Sequence, residues 1–398
     1  MGRISYLVNR KKEKKRYHNS HRNPNVWVFG EWYGKRCCDN SLYLANYIAS
    51  HYPERLLYWV AEKDANTSLL ADSVRTVEMD SEECRDLLQN AGVVVMNQGL
   101  YDFSSDGTNY FSGAITLNLW HGLMWKRIKY DAGKHNGLFA HIHHKMLSKL
   151  EEADYYLIPS EEMRTHFETG FLISKKNAVC AGYPRNMVFH DKEALEETRT
   201  GIRNRIVSRF GKCPQRIIAY MPTFRDTLSD TFSFSEMKDN ERLNKLLEKY
   251  DALIIEKSHF ALAGKSDETK GPGTERFWFT NEITATELLA AADMLITDYS
   301  SCFFDYLLLS KPIIHYIYDY DFYVNEDRGV YYSKEEMACG STPQTIEELL
   351  DSMEQYLENP NKDEELRNNK RQLFWEYDSP NACEDIYRAL SEILERKS

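Results

Sequence analysis

No apolar run in the 398 residues approaches the roughly 20 that a helix needs to cross a bilayer, so an integral membrane protein is not expected. The start, "MGRISYLVNRKKEKKRYHNSHRNPN", lacks the apolar stretch of a secretory signal. Its eight cysteines are scattered, with neither a C-x-x-C pair nor the framework of a disulfide-stapled small domain; a reducing, cytoplasmic setting is the expectation. An excess of positive charge is missing too: the net charge of −11 argues against a general nucleic-acid binder. Nor is there an internal repeat or a low-complexity block. What is present is the composition of a globular protein, 42% hydrophobic and 28% charged. The length exceeds what one core usually organises and implies two domains of about 150 to 200 residues each.

From residue 26 short apolar runs alternate with amphipathic stretches. "VWVFG", "LLYWVAE", "VVVMNQ", "AITLNLWHG" and "YYLIPS" read as strands; "NSLYLANYIASHY" and "SEECRDLLQNAG" read as helices, the second capped by Ser81. After a charged helical stretch near 191–211 a second series follows: "RIIAYMPT", "ALIIEKS", "RFWFT", "MLITDYS" and "PIIHYIYD". Such alternation predicts α/β folding, with two doubly wound parallel sheets in tandem. The expected organisation is a basic N-terminal extension over 1–25, a first Rossmann-like domain over 26–190, a second over 191–375, and a C-terminal helix over 376–398 that packs back on the first domain. In the extension Arg3, Arg10, Lys11, Lys12, Lys14, Lys15, Arg16 and Arg22 face a single acid. It reads either as a solvated terminus or as a segment drawn to an anionic membrane surface.

In open parallel sheets ligands bind beyond the carboxyl ends of strands. There the stretch 288–319 places Thr297-Asp298-Tyr299-Ser300-Ser301 directly after a buried-looking run. Ser300 and Ser301 then open the helix "SSCFFDYLLLS", whose free N–H groups favour a phosphate; the alternative reading makes Asp298 and Ser300 plain helix caps. Other strand ends carry His121 in "NLWHGLMWK", Arg225 in "YMPTFRD", and Lys257 and His259 in "EKSHF". Arg225 offers a bidentate contact and Lys257 a point charge to a diphosphate, and Arg328 in "NEDRGVYY" is a candidate third cation.

These stretches resemble the CDP-glycerol glycerophosphotransferases, a family that includes teichoic-acid primases and polymerases and related capsule enzymes. The resemblance rests on "WHGLMWKRI" against W-H-G-T-x-x-K-x-I, "GYPRNMVF" against G-x-P-R-N-D, and "MPTFRD" against a-P-T-[FW]-R. It rests also on "LITDYSSCFFDYLLLSKPIIHYIYDYDFY", on "RGVYY", and on a "DNS" turn after the first strand. The supporting motif residues are Trp120, Gly122, Gly182, Pro184, Arg185, Pro222 and Thr223; the departures are Leu123 and Met124 after W-H-G, Met187, and Phe260.

The resemblance implies a GT-B architecture, with the acceptor handled by the N-terminal domain and a CDP-activated donor by the C-terminal one. It implies transfer of glycerol phosphate, or a related polyol phosphate, from a CDP-polyol to a hydroxyl of a lipid-linked or capsular glycan, with release of CMP. The enzyme would sit at the cytoplasmic face of the membrane and use no cofactor and no metal. Both motif histidines, His121 and His259, carry over as catalytic, His121 as candidate general base. Arg225, Lys257, Asp298, Ser300, Ser301 and Arg328 carry over as the donor-phosphate set.

Two further signals point elsewhere. "HIHHK" at 141–145 mimics a metal site, yet on a helix only His141 and His144 share a face; "DYD" at 319–321 mimics a metal-binding D-x-D and reads as a surface loop. The competing readings are a sugar-nucleotide glycosyltransferase or epimerase of the same shape, which would not release CMP, and a non-catalytic protein that binds anionic polymer.

Overall fold

The computed structural model describes residues 3–19, 21–133, 138–223, 232–257, 273–325 and 329–397. The chain divides into two compact units. One comprises Met1–His121, Lys129–Met187 and Trp375–Ser398; the other comprises Gly122–Ile128 and Val188–Phe374.

The first unit is built on seven parallel strands: β1 (Asn23–Phe29), β2 (Leu56–Ala61), β3 (Arg75–Glu78), β4 (Ala91–Met96), β5 (Ile115–Asn118), β6 (Tyr155–Ile158) and β7 (Ala178–Cys180). Their order is β3-β2-β1-β4-β5-β6-β7. Strand β4, "AGVVVM", is buried at every residue, as a central strand covered on both faces must be. Reading apolar runs does not find β3, "RTVE", or β7, "AVC". These are the two edges of the sheet, and each buries one residue, Val77 and Val179. Ser81 caps the helix Glu82–Asn90 as its sequence predicts, its hydroxyl accepting from the Cys84 N–H at 3.0 Å.

Two terminal helices complete this unit. The basic helix Arg3–Arg16 lies along the helix Leu138–Glu151: the Tyr6 hydroxyl donates to Glu151 at 2.7 Å, and Arg10 pairs with Glu151 at 3.0 Å while donating to the Gly107 carbonyl. The C-terminal helix Ala382–Lys397 is held through Glu384, which accepts from the hydroxyls of Tyr47 and Tyr52, and through Tyr387, which stacks on Tyr52.

The second unit carries β8 (Arg216–Met221), β9 (Ala252–Glu256), β10 (Phe277–Phe279), β11 (Met294–Thr297) and β12 (Ile313–His315), all parallel, in the order β10-β9-β8-β11-β12. One side of this sheet buries Ile218, Ile254, Ile296 and Ile314 against Leu243, Leu247, Leu349 and Met353 of the helices Glu241–Lys249 and Ile346–Glu358. Both sheets reverse their strand order once, between β1 and β4 and between β8 and β11. In doubly wound folds the crevice beyond that reversal is where ligands bind.

Candidate active site

In the first unit the strand ends at the reversal converge on the backbone around His121. The chain leaves β5 through Leu119, whose N–H reaches the Met96 carbonyl, and turns at Trp120, which has a φ of 56°. A bulky residue in the left-handed region is uncommon and persists only where its surroundings hold it. Here the Trp120 N–H donates to Asn118 Oδ1 at 2.8 Å, its carbonyl accepts from Asn40 Nδ2 at 3.0 Å, and its ring packs edge-on against Phe171. The turn leaves the His121 ring half-buried between the rings of Trp120 and Trp32, at centroid distances of 4.1 and 5.4 Å.

Behind this histidine lies a buried ion pair. Arg185 Nη1 is 2.6 Å from Asp39 Oδ1 and donates to the His121 carbonyl at 3.2 Å. The other Asp39 oxygen accepts from Trp32 Nε1 at 3.0 Å. Asp39 also caps the helix Asn40–His51, and Ser41 donates to the Gly30 carbonyl and to Asn97, tying together the ends of β1 and β4. Glu31, fully buried, accepts from the backbone N–H groups of Cys38 and Asp39 through one oxygen. Its other oxygen has no hydrogen-bond partner among the described residues. Burial, then the neighbouring Asp39 charge, push the Glu31 carboxyl well above the usual range.

The motif residues Gly182, Pro184 and Arg185 support the same turn. A Cβ on Gly182 would meet Asp378 Oδ1 at 2.5 Å, so a glycine is needed where the C-terminal segment crosses, and Pro184 opens the short 3-10 helix Pro184–Phe189. The sequence singles out Arg185 but not Glu31, Trp32, Asp39 or Asn40. Their signal is the "DNS" turn at 39–41, noted as a likeness without a role.

In the second unit the segment that follows His121 in the chain packs on the ends of β11 and β12. A Cβ on Gly122 would meet Ser301 Oγ at 2.3 Å and Ser301 Cβ at 2.7 Å, so the glycine of W-H-G admits the serine of the T-D-Y-S-S stretch. Trp125, 1% exposed, donates from Nε1 to the Tyr332 carbonyl at 2.9 Å, accepts from the Tyr331 N–H at 2.8 Å, and packs against Tyr299, Phe303 and His315. Lys126 forms an antiparallel bridge with Val330, so the "WHGLMWK" and "RGVYY" stretches are joined by backbone pairing.

The pairing of β8 with β11 sets Thr297 opposite Met221 and brings Pro222 and Thr223 beside Asp298. Both oxygens of Asp298 face the Thr223 N–H, at 2.8 and 3.1 Å, and the residue is 2% exposed. Ser300 and Ser301 are half-buried; Ser301 precedes the six-residue helix Cys302–Leu307 and makes no side-chain cap. Lys257 follows β9, its N–H on the Tyr220 carbonyl at 3.0 Å. His315, at the end of β12, is fully buried; its Nδ1 faces the Asp298 carbonyl and its Nε2 the Cys339 N–H, and burial lowers its pKa to about 4. Arg225, His259 and Arg328 lie outside the described residues. Among the described residues no group of three His, Cys, Asp or Glu side chains is placed to hold a metal ion, and His141 instead faces the Tyr130 hydroxyl at 3.2 Å.

Comparison with known proteins fits these motifs. The chain is 26% identical over 380 residues to a teichoic acid glycerol-phosphate transferase of Staphylococcus aureus, covering 92% of this chain and 93% of that protein. It is 30% identical over 245 residues to a teichoic acid poly(glycerol phosphate) polymerase of Bacillus spizizenii, covering 60% of each. Its fold matches the solved structure of the wall teichoic acid polymerase TagF with a TM-score of 0.79 at 23% identity, over 99% of this chain and 97% of that one, which makes the architecture GT-B-like. The family model described as CDP-glycerol:poly(glycerophosphate) glycerophosphotransferase matches residues 14–392, from the N-terminal basic helix through both sheets to the C-terminal helix. On that match, the chain belongs to the CDP-glycerol:poly(glycerophosphate) glycerophosphotransferase family.

Proposed function

We propose that this enzyme transfers glycerol phosphate from CDP-glycerol to a hydroxyl of a teichoic acid acceptor and releases CMP. The observation that carries the reading is His121, half-exposed at the carboxyl end of β5, with its ring between Trp32 and Trp120 and its carbonyl held by Arg185. The acceptor oxygen attacks the distal phosphorus of the donor, a new phosphodiester bond forms, and the bond from that phosphorus to the bridging oxygen breaks, leaving CMP. The acceptor proton passes to the His121 imidazole, the side chain whose neutral form is available as a base near pH 7.

On the donor, Lys257, Arg225 and Arg328 supply positive charge, Ser300 and Ser301 supply donors, and His259 stabilises charge on the departing CMP. Asp298, in the same donor set, also accepts the Thr223 N–H and so sets the end of β8.

Catalysis takes place at a membrane surface, where a lipid-linked acceptor resides. The support is the pair of helices Arg3–Arg16 and Leu138–Glu151, which expose Ile4, Val8, Ile142 and Met146 beside Lys11, Lys12, Lys15 and Lys145. An apolar stripe flanked by lysines is the chemistry of a helix lying on anionic lipid.

The test is CMP release from a panel of CDP-glycerol, CDP-ribitol and UDP-sugars, for wild type and His121→Ala. The expected outcome is release from CDP-glycerol, reduced in the variant by about two to four orders of magnitude while donor binding is retained. Turnover of UDP-sugars alone would overturn the donor class, and near-normal release by folded His121→Ala would overturn the base.

A further inference from the structure

Three of the contacts that fix His121 run through two consecutive residues, Asp39 and Asn40. Asp39 Oδ1 holds Arg185, which donates to the His121 carbonyl; Asp39 Oδ2 holds the Trp32 indole, which packs on the His121 ring. Asn40 Nδ2 holds the Trp120 carbonyl, the acceptor just before His121, and Asn40 Oδ1 accepts from the Arg185 N–H at 3.3 Å. All four supports are buried or half-buried: Asn40 is 0% exposed, Asp39 6% and Arg185 7%. Glu31 in turn clamps the Asp39 N–H at 2.8 Å.

An ordinary helix cap needs none of this. The Asp39 side chain accepts from the Asn40 N–H, and solvent or a serine would serve as well. A buried carboxylate shared, one oxygen each, between the Arg185 Nη1 and the Trp32 indole N–H instead fixes two directions at once, because the guanidinium and the indole are each planar and rigid.

We propose that Asp39 is a positioning residue for the transfer reaction: through Arg185 and Trp32 it sets the height and tilt of the His121 imidazole, with Asn40 locking the preceding peptide. The proposal rests on the reading of His121 as the base. Asp39 touches no reacting atom. Its effect falls on the geometry of proton removal, where a displacement of about 1 Å costs about a hundredfold in rate. Donor binding by the second unit is untouched, so the loss appears in kcat and not in KM for CDP-glycerol.

The test compares Asp39→Asn, Trp32→Phe and the paired variant Asp39→Asn with Arg185→Gln, in wild-type and His121→Ala backgrounds. Asn keeps the helix cap and the side-chain volume; Phe keeps the ring on His121 and removes only the N–H to Asp39. The paired variant removes both charges together and so avoids leaving a buried guanidinium alone, should Asp39→Asn fail to fold. Expected is a fall in kcat of about ten- to a hundredfold for Asp39→Asn and the paired variant, and a smaller one for Trp32→Phe, at unchanged KM for CDP-glycerol and with folded protein by thermal unfolding. In the His121→Ala background the same substitutions should cost nothing further, since groups acting as one unit are not additive. If His121→Ala abolishes transfer while folded Asp39→Asn and the paired variant keep the wild-type kcat, the positioning role is wrong and the base assignment stands. An equal loss in both backgrounds also overturns it, because Asp39 would then act independently of His121. Near-normal kcat in His121→Ala itself refutes the base assignment, and the positioning proposal with it.

Discussion

Acid should unseat the second unit at one identifiable residue, His315. It lies at the end of β12, fully buried, in edge-on contact with the rings of Phe303 at 4.8 Å and Trp125 at 5.7 Å. Its Nε2 receives the Cys339 N–H at 3.3 Å, and a proton on Nε2 would set two N–H groups against each other. Its Nδ1 faces the Asp298 carbonyl at 3.4 Å, too long to compensate. Burial is the main cause, and the pKa falls from the ordinary 6.5 to about 4.

The sign follows from linkage. Between those two values the unfolded chain carries a proton at this position and the folded one does not, so stability is lost as pH falls from 6.5 toward about 4 and levels off below. At about 1.4 kcal/mol for each tenfold change in proton affinity, the loss amounts to about 3 kcal/mol. That is a large share of the roughly 5 to 15 kcal/mol typical of a domain.

The perturbation is His315→Gln, which retains an acceptor for Cys339 but does not titrate. Urea denaturation of wild type and variant across the acid range should give curves whose difference shifts as pH falls, the wild type losing about 3 kcal/mol more than the variant. Taking the difference cancels every other titrating group the two proteins share. Parallel curves, or a His315 resonance that titrates near its ordinary value, would refute the reasoning.

The remaining expectations concern the two motif segments and the surface. Gly122→Ala puts a methyl group 2.3 Å from Ser301 Oγ and should cost about 1 to 3 kcal/mol of stability along with activity. Adding Ser301→Gly should return most of the stability, and thermal unfolding of the single and double variants checks the compensation. Glu31→Gln should stabilise the protein increasingly above pH 4.5, because the unfolded carboxyl ionises there while the buried one stays protonated; a Tm difference that does not grow with pH contradicts this. Ile4→Glu combined with Ile142→Glu should reduce sedimentation with anionic vesicles and leave turnover of a soluble acceptor unchanged; unaltered sedimentation would remove that face from the membrane reading.

Much of the architecture is written locally. Strand runs such as "VVVM" and "RIIAYM" declare themselves because a central parallel strand is apolar on both faces, and Ser81 declares the helix it caps because capping is settled within four residues. The motifs that mark the family are also contiguous strings, so the chain alone led to His121, Arg185 and the T-D-Y-S-S stretch. The edge strands β3 and β7 escaped because an edge buries little, and their one buried valine each is no pattern.

What the tertiary structure decided is which strings meet. Asp39 and Arg185 are 146 residues apart, and nothing in either neighbourhood names the other. The crossing of Gly122–Ile128 into the second unit, the seat of Trp125 against His315, and the need for glycine beside Ser301 all depend on where distant strands end. Asp298 shows the reason most simply. Its sequence position after a strand marks a polar cluster, while the register of β11 on β8, which sets Thr297 opposite Met221, is what brings the next carboxylate onto the Thr223 N–H. Local sequence fixes a side chain's chemistry; pairing between strands far apart in the chain fixes what that chemistry is spent on.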